Sequence, residues 1–192
     1  MNTQLFIDQI SEHIDCFQAL KHSAPEILRA ARELTATIAS GKKILICGNG
    51  GSAADAQHFA AELVGRFEKE RASYPALALT TDSSALTAIG NDYGFERVFS
   101  RQVEGLGQKG DMLIVISTSG NSPNIHKAVR KAASMGMQTI GLLGRDGGGL
   151  KDEVGCPVIV PHVRTARIQE AHGFILHFWA CCVDEAVKAP AA

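Results

Sequence analysis

His58 and Glu62 are the two residues of this sequence best suited to acid–base or metal chemistry. A spacing of four residues puts both side chains on one face of a helix, one turn apart. An imidazole and a carboxylate held in this way can bind a divalent cation or transfer protons. The same pair is also common as a plain surface contact, so its surroundings decide between the two interpretations.

The helix predicted to carry this pair follows a glycine-rich segment, C-G-N-G-G-S, at residues 47–52. Glycines let backbone N–H groups approach a ligand closely, and the helix N-terminus behind them favours negative charge. The segment lacks the G-K-[ST] ending of a Walker loop and the G-x-G-x-x-G spacing of a dinucleotide-binding loop. It therefore indicates a ligand loop of another kind, with a tight structural turn as the alternative.

A second candidate ligand loop is the hydroxyl-rich segment S-T-S-G-N-S at residues 117–122. Hydroxyl and amide donors at a helix N-terminus can bind a phosphate dianion without a lysine. A helix cap alone requires one serine, whereas this segment has four hydroxyls, so we predict a phosphate site. Asn91 and Asp92, which follow Gly90, are a weaker candidate: they could bind sugar hydroxyls or form an ordinary turn.

His177 lies inside an apolar stretch near the end of the chain. On this pattern alone we favour a buried histidine bonded to a backbone carbonyl, with Cys181 and Cys182 beside it in the core. The five cysteines are odd in number and form no C-x-x-C motif, which is typical of reduced thiols in a cytosolic chain. We expect most of them to be small core residues.

Short apolar runs without polar alternation are typical of strands that are buried on both faces of a parallel sheet. They alternate with helical patterns along most of the chain, which predicts a doubly wound α/β fold with a five-stranded parallel sheet. Two amphipathic helices, over residues 3–20 and from Pro25 to Ala39, precede the sheet as an N-terminal helical pair. We expect one domain over residues 1–192, with these helices in 1–40 and the α/β core in 41–192. The predicted strands are 43–47, 75–79, 112–117, 139–144 and 157–161, and the later helices are 52–68, 84–90, 95–106, 121–135 and 166–188.

Composition narrows the possible classes of function. The chain has 192 residues, of which 45% are hydrophobic, and its 19 basic and 20 acidic residues nearly cancel. This balance gives no reason to expect a nucleic-acid or membrane partner. No apolar run is long enough to span a bilayer and the first residues do not resemble a signal peptide, so we expect a cytoplasmic protein.

Four segments of the chain carry a resemblance to a known family: CGNGGSAADAQHFAAEL at 47–63, ALTAIGNDYGF at 85–95, ISTSGNS at 116–122 and RIQEAH at 167–172. Together they resemble the sugar-isomerase (SIS) domain and, within it, the bacterial phosphoheptose isomerases. This resemblance implies a flavodoxin-like sheet, a homotetramer with active sites shared between subunits, and an aldose–ketose isomerase. The reaction would convert sedoheptulose 7-phosphate to D-glycero-D-manno-heptose 7-phosphate through an enediol, supplying the inner core of lipopolysaccharide.

The resemblance also implies roles for individual residues, with Glu62 as the base and His177 as its acid–base partner. Zinc, one ion per subunit, would be bound by His58, Glu62, Gln169 and His177. The substrate would contact Asn49, Gly50, Gly51, Glu62, Asn91, Asp92, Ser117, Thr118, Ser119, Ser122 and Gln169.

The distance between two of the implied zinc ligands raises a geometric question. Gln169 and His177 are eight residues apart, or about 12 Å along a regular helix, whereas ligands of one zinc ion lie within about 4 Å of each other. Either the last helix starts irregularly or a neighbouring subunit completes the site.

Three alternative functions stay open at this point. A non-catalytic SIS tetramer that binds the replication initiator DnaA shares the glycine and R-I-Q-E segments, but we favour the enzyme because Glu62 and His177 are both intact. A sugar-phosphate sensor is less favoured, because such sensors are usually fused to a DNA-binding or CBS segment. A ketohexose-phosphate isomerase would need only a different pocket length.

Overall fold

A computed structural model describes residues 2–186 of the chain. Its five strands are β1 (Ile44–Gly48), β2 (Ala76–Ala78), β3 (Met112–Ser117), β4 (Gln138–Gly144) and β5 (Cys156–Val160). They form one parallel sheet in the order β2-β1-β3-β4-β5, which confirms the predicted five-stranded doubly wound fold. This is the flavodoxin-like order, in which the direction of strand addition reverses between β1 and β3.

The helices are α1 (Thr3–Leu20), α2 (Ala24–Ala39), α3 (Gly51–Val64), α4 (Ser83–Tyr93), α5 (Val98–Leu106), α6 (Pro123–Ser134) and α7 (Thr165–Ala186). Helices cover both faces of the sheet because successive strand residues point to opposite sides. Ile44 and Ile46 of β1 belong to one apolar core, together with side chains of α2, α3 and α7. Leu45 and Cys47 belong to the other core, together with side chains of α5 and α6.

The expectation that every strand is buried on both faces is wrong for the two edge strands. β2 is only partly buried, and β5 alternates between buried and half-buried residues. Pro157 in β5 fits an edge position, because proline has no N–H to donate to a further strand. The central strand β3 is buried along its whole length, as predicted.

The helix predicted over 84–90 continues to Tyr93, so Asn91 and Asp92 lie in its last turn and not in a following loop. The helix ends where Gly94 adopts a φ of 84°, a conformation that glycine adopts without steric cost. Asn91 donates from its side-chain amide to the Asp92 carboxylate at 2.8 Å, and both residues are exposed. The segment predicted as one helix over 95–106 begins with a 3-10 turn before α5.

The N-terminal helical pair is present, but much of the apolar stripe of α1 is not covered by the rest of the described chain. Phe6 is 67% exposed, and Leu5, Ile10 and Ile14 are also exposed. Cys16 and Leu20, near the C-terminal end of α1, are buried. None of the helices within residues 2–186 combines the length and the apolar character that crossing a bilayer requires.

The interpretation of His177 as a buried histidine is wrong, and it describes His172 instead. His172 is fully buried and its Nε2 donates to the carbonyl of Leu143 at 3.1 Å, whereas His177 is exposed. Burial lowers the pKa of His172 to about 4, because the apolar surroundings disfavour the charged imidazole. Among the cysteines, Cys181 and Cys182 are half-buried, and the core positions are Cys16, Cys47 and Cys156.

We expect His172 to make the free energy of unfolding fall as the pH falls from about 6.5 to about 4. Its folded-state pKa lies below its unfolded value, so only the unfolded chain binds a proton in this range, which costs about 3 kcal/mol of stability by pH 4. Urea unfolding at several pH values should show a shallower pH dependence for His172→Gln than for the unsubstituted protein. Parallel pH dependences in the two proteins would contradict the expectation.

Candidate active site

A small polar cavity of about 80 Å³ lies at the C-terminal ends of β1 and β3. This is the point at which the strand order reverses, where ligands bind in open parallel sheets. The N-termini of α3 and α6 lie beside it, and helix N-termini favour bound anions. The residues that line the cavity are Asn49, Ser52, Ile116, Ser117, Thr118, Ser119 and Ser122.

The hydroxyl-rich loop of residues 117–122 contains an internal hydrogen bond between a side chain and the backbone. Ser117 is buried, and its Oγ accepts a hydrogen bond from the Gly120 N–H at 3.1 Å. Ser122 occupies the N-cap position of α6, yet its side chain makes no capping hydrogen bond. The hydroxyl of Ser122 therefore does not cap α6, although capping is the usual role of a serine at this position.

A reciprocal amide pair joins this loop region to the glycine loop of residues 48–51. Asn49 donates to the side-chain oxygen of Asn124 at 3.0 Å, and Asn124 donates back to that of Asn49 at 2.9 Å. Asn124 is buried in the first turn of α6 and was missed by the sequence analysis. Only its position just after the hydroxyl-rich segment could have indicated it, because an asparagine near a helix start is ordinarily interpreted as part of a cap.

The glycine loop brings Gln169 of α7 to the start of α3. Gly50 caps α3 with a φ of 57°, and Gly51 is its first residue. A Cβ atom on Gly51 would overlap the side-chain amide of Gln169, so this amide occupies space that is free only because position 51 has no side chain. Gln169 thus lies beside the glycine loop, as a substrate contact would require.

His58, Glu62 and His177 meet further along the same two helices. The Nε2 atoms of His58 and His177 are 2.7 Å apart, and His58 Nε2 lies 3.6 Å from Glu62 Oε1. Phe67 stacks on the ring of His177 with centroids 5.4 Å apart. The side chain of Glu62 is 21% exposed and that of His58 is 51% exposed. The structure therefore joins a carboxylate and two imidazoles from α3 and α7.

The chemistry of this group fits a zinc ion. One ligand atom from each of the three side chains lies within 4.8 Å of the other two. Tetrahedral zinc with nitrogen ligands at about 2.0–2.1 Å separates neighbouring ligand atoms by about 3.3 Å, so the two Nε2 atoms would move apart only slightly. Imidazole and carboxylate are both common zinc ligands.

Asp55, one turn before His58 on α3, was not singled out by the sequence analysis. Its Oδ2 is buried and has no hydrogen-bond partner among the described residues. Burial raises the pKa of the Asp55 carboxyl, and the neighbouring His58 partly offsets this effect. Nothing in the sequence marks this aspartate, because an exposed carboxylate at the same helical spacing would give the same pattern.

Within one chain, the predicted site residues fall into separate groups. Gln169 lies beside Gly51, which is seven residues and about 10 Å along α3 from His58. The α7 helix is continuous from Thr165 to Ala186, so it has no irregular start that would bring Gln169 to His177. Asn91 and Asp92 line neither the polar cavity nor the group formed by His58, Glu62 and His177.

Comparisons with known proteins place this chain in a defined class. A sequence model of the SIS domain matches residues 6–144, so the chain is a SIS-domain protein. It is 64% identical over 144 residues to the phosphoheptose isomerase of a Nitratiruptor species, a match that covers 75% of this chain and 77% of that one. With the phosphoheptose isomerase of Geobacter metallireducens it shares 52% identity over 186 residues, or 96% and 98% of the two chains.

Structural similarity points to the same group of proteins. The solved phosphoheptose isomerase GmhA of Neisseria gonorrhoeae matches with a TM-score of 0.90 and 46% identity, covering 95% of this chain and 98% of that one. The chain belongs to the phosphoheptose isomerase family and is an aldose–ketose isomerase. The alternative of a DnaA-binding SIS protein is not favoured by these relatives.

We expect Gly51→Ala to lower kcat/KM by about tenfold or more, because the new methyl group would displace the amide of Gln169. Gly105→Ala in α5 is a matched control, since a Cβ there meets open space and alanine favours a helix. Steady-state kinetics of both variants, with thermal unfolding to confirm folding, provide the measurement. A folded Gly51→Ala protein with unchanged kinetics would contradict the role of this contact.

Proposed function

We propose that this enzyme interconverts sedoheptulose 7-phosphate and D-glycero-D-manno-heptose 7-phosphate, with Glu62 as the base and His177 as its acid–base partner. The observation that carries the proposal is the meeting of Glu62, His58 and His177 across α3 and α7. The family relationship supports the choice of a seven-carbon sugar. In the cytoplasm, the product would supply heptose for the inner core of lipopolysaccharide.

The reaction moves one proton between adjacent carbons and another between the two oxygens they carry. In the ketose-to-aldose direction, the Glu62 carboxylate would remove a proton from C1, forming the enediol, and return it to C2. The His177 imidazole would donate a proton to the oxygen on C2 and accept one from the oxygen on C1. No atom is gained or lost, so the acid and the base end the cycle in their starting states.

Phosphate binding would fall to the polar cavity at β1 and β3. The hydroxyls of Thr118, Ser119 and Ser122 line it, and the first N–H groups of α3 and α6 add positive dipole ends. Asn49, oriented by Asn124, would contribute an amide to the same ligand. These groups would bind the phosphate without transferring protons, so they would contribute to the affinity for the substrate and to its orientation.

We further propose one zinc ion per subunit, held by His58, Glu62 and His177, with Gln169 reaching the ion from a neighbouring subunit as an additional ligand. Bound there, zinc would polarise the substrate's oxygens or hold the ligands in order. The nitrogen and carboxylate oxygen atoms that bind zinc must carry no proton, which links zinc binding to pH. The Nε2 atom of His58 lies close to both Glu62 and His177, which suits three side chains that bind the same ion.

A homotetramer with active sites shared between subunits forms part of the proposal. Two observations support it: the exposed apolar side chains of α1, and the distance between the cavity and the acid–base pair. Ser52 in the cavity and Glu62 are ten residues apart on α3, or about 15 Å along its axis. A neighbouring subunit that covers α1 could bring its own side chains into this gap.

The proposed base is tested with Glu62→Gln, which keeps the size of the side chain and removes its basicity. We expect a loss of turnover on sedoheptulose 7-phosphate of about a hundredfold or more, with folding unchanged. Ser119→Ala is the comparison: it should raise KM for the same substrate and leave kcat largely intact. Near-normal turnover by folded Glu62→Gln would contradict the role of Glu62 as the base. Equal turnover of a six-carbon ketose phosphate by the unsubstituted protein would contradict the assignment of a seven-carbon substrate.

Zinc is tested by the metal content of protein purified without a chelator or an affinity tag. Elemental analysis should find about one zinc ion per chain, and the content should fall in His58→Ala because one imidazole ligand is lost. Chelation followed by zinc addition should lower and then restore activity. Full activity in metal-free protein would contradict a role for zinc in turnover.

A further inference from the structure

We infer that the buried ion pair of Arg71 and Asp184 positions the acid–base groups, by joining the end of α3 near Glu62 to the end of α7 beyond His177. The inference rests on the proposed function, because it concerns the residues assigned to acid–base chemistry there. Neither Arg71 nor Asp184 is among the residues that line the cavity or form the His58, Glu62 and His177 group. Both are therefore positioning residues and would act through α3 and α7.

Arg71 binds the C-terminal end of α3 through its guanidinium group. Its Nη2 donates to the carbonyl of Glu62 at 2.6 Å, and its Nη1 donates to the carbonyl of Leu63 at 3.0 Å. The last carbonyls of a helix have no partner within the helix, and a cation there also complements the helix dipole. Arg71 therefore holds the backbone of the residue whose side chain is the proposed base.

Asp184 holds the other side of the same junction. Its Oδ1 accepts from Arg71 Nε at 2.7 Å, and its Oδ2 accepts from the N–H groups of Glu68 and Lys69 at 2.9 and 3.0 Å. Asp184 lies seven residues after His177, which is about two turns of α7. The side chains of Arg71 and Asp184 are each only 2% exposed, so the junction is buried.

The segment held by Asp184 also touches His177 directly. Phe67, next to Glu68 in the chain, stacks on the imidazole of His177 at an interplanar angle of 27°. Asp184 thus fixes the backbone immediately after the residue that packs on the proposed acid–base histidine. Through Arg71 it also reaches the backbone of Glu62, so one carboxylate is connected to both members of the pair.

A purely stabilising role would not require this arrangement. Replacing a buried ion pair by apolar residues of similar volume is often neutral or stabilising, so the pair is weak grounds for a stability role. The planar guanidinium fork instead imposes fixed directions and distances on the groups it binds. Such directional contacts suit a site in which a misplacement of about 1 Å can cost about a hundredfold in rate.

The chain offers a matched control in a second buried ion pair. The side chain of Asp111 is also 2% exposed, accepts from the N–H groups of Lys43 and Gln108, and forms an ion pair with the Lys43 ammonium. It lies just before β3, and these two partners belong to neither α3 nor α7. Asp111→Asn therefore removes a similar buried charge without altering the contacts between the ends of α3 and α7.

The experiment compares Asp184→Asn with Asp111→Asn in the full chain, measuring unfolding in urea, kcat and KM for sedoheptulose 7-phosphate, and the dissociation constant for zinc. We expect similar losses of stability in both variants. Only Asp184→Asn should lower kcat by about tenfold or more with KM nearly unchanged, and only it should weaken zinc binding. Equal kcat and zinc affinity in the two folded variants would overturn the inference.

Two further arrangements keep the test decisive. If Asp184→Asn does not fold, Arg71→Lys replaces it, because lysine keeps the charge and loses the fork; unchanged kcat and zinc affinity in that variant would also overturn the inference. Failure of the proposed function is recognised separately, by an active Glu62→Gln protein or by an unsubstituted protein inactive on the heptose phosphate. In that case the ratio of zinc dissociation constants between Asp184→Asn and Asp111→Asn still decides the positioning role.

Discussion

The packing of α3 against α7 is the interaction on which the rest of the site depends. Near their starts the two helices meet where Gln169 covers Gly51, and further along they meet where His58 contacts His177. Just past the second point the apolar core packs Phe59 against Trp179, with ring centroids 6.2 Å apart. A slip of one residue would move α7 by about 1.5 Å and turn its side chains by about 100°, separating the two imidazoles.

The parallel sheet supplies the second constraint, because it gathers strand ends and helix N-termini at one edge. At that edge the hydroxyl-rich loop and the glycine loop enclose the polar cavity, tied together by the Asn49–Asn124 amide pair. The acid–base group lies elsewhere, about 15 Å along α3 for Glu62. One chain therefore separates the groups proposed to bind phosphate from those proposed to transfer protons, and the proposed shared sites would reunite them across subunits.

Much of the fold was predictable because central parallel strands and their following loops have strong local signals. The apolar run of residues 112–117 was enough to predict β3, and four hydroxyl groups were enough to predict a ligand loop after it. The predictions that were wrong depended on tertiary context. Asn91 lies in a helix because Gly94, and not Gly90, ends α4. The apolar residues around both histidines did not indicate that His172, and not His177, is the buried one. Likewise, Arg71 and Asp184 are far apart in sequence, and no spacing rule connects residues whose contact exists only after α3 and α7 have packed.

In the proposed tetramer, assembly and catalysis would be linked through α7. His58 and His177 are exposed in the single chain, and water weakens electrostatic interactions and hydrates reacting groups. On the same helix, Phe174 and Phe178 line an apolar groove of about 430 Å³ together with Phe17 of α1. A neighbouring subunit that covered this groove would bury apolar surface, and one that extended over His177 would exclude water from the acid–base pair. The burial that stabilises the proposed tetramer would then also prepare the site for proton transfer.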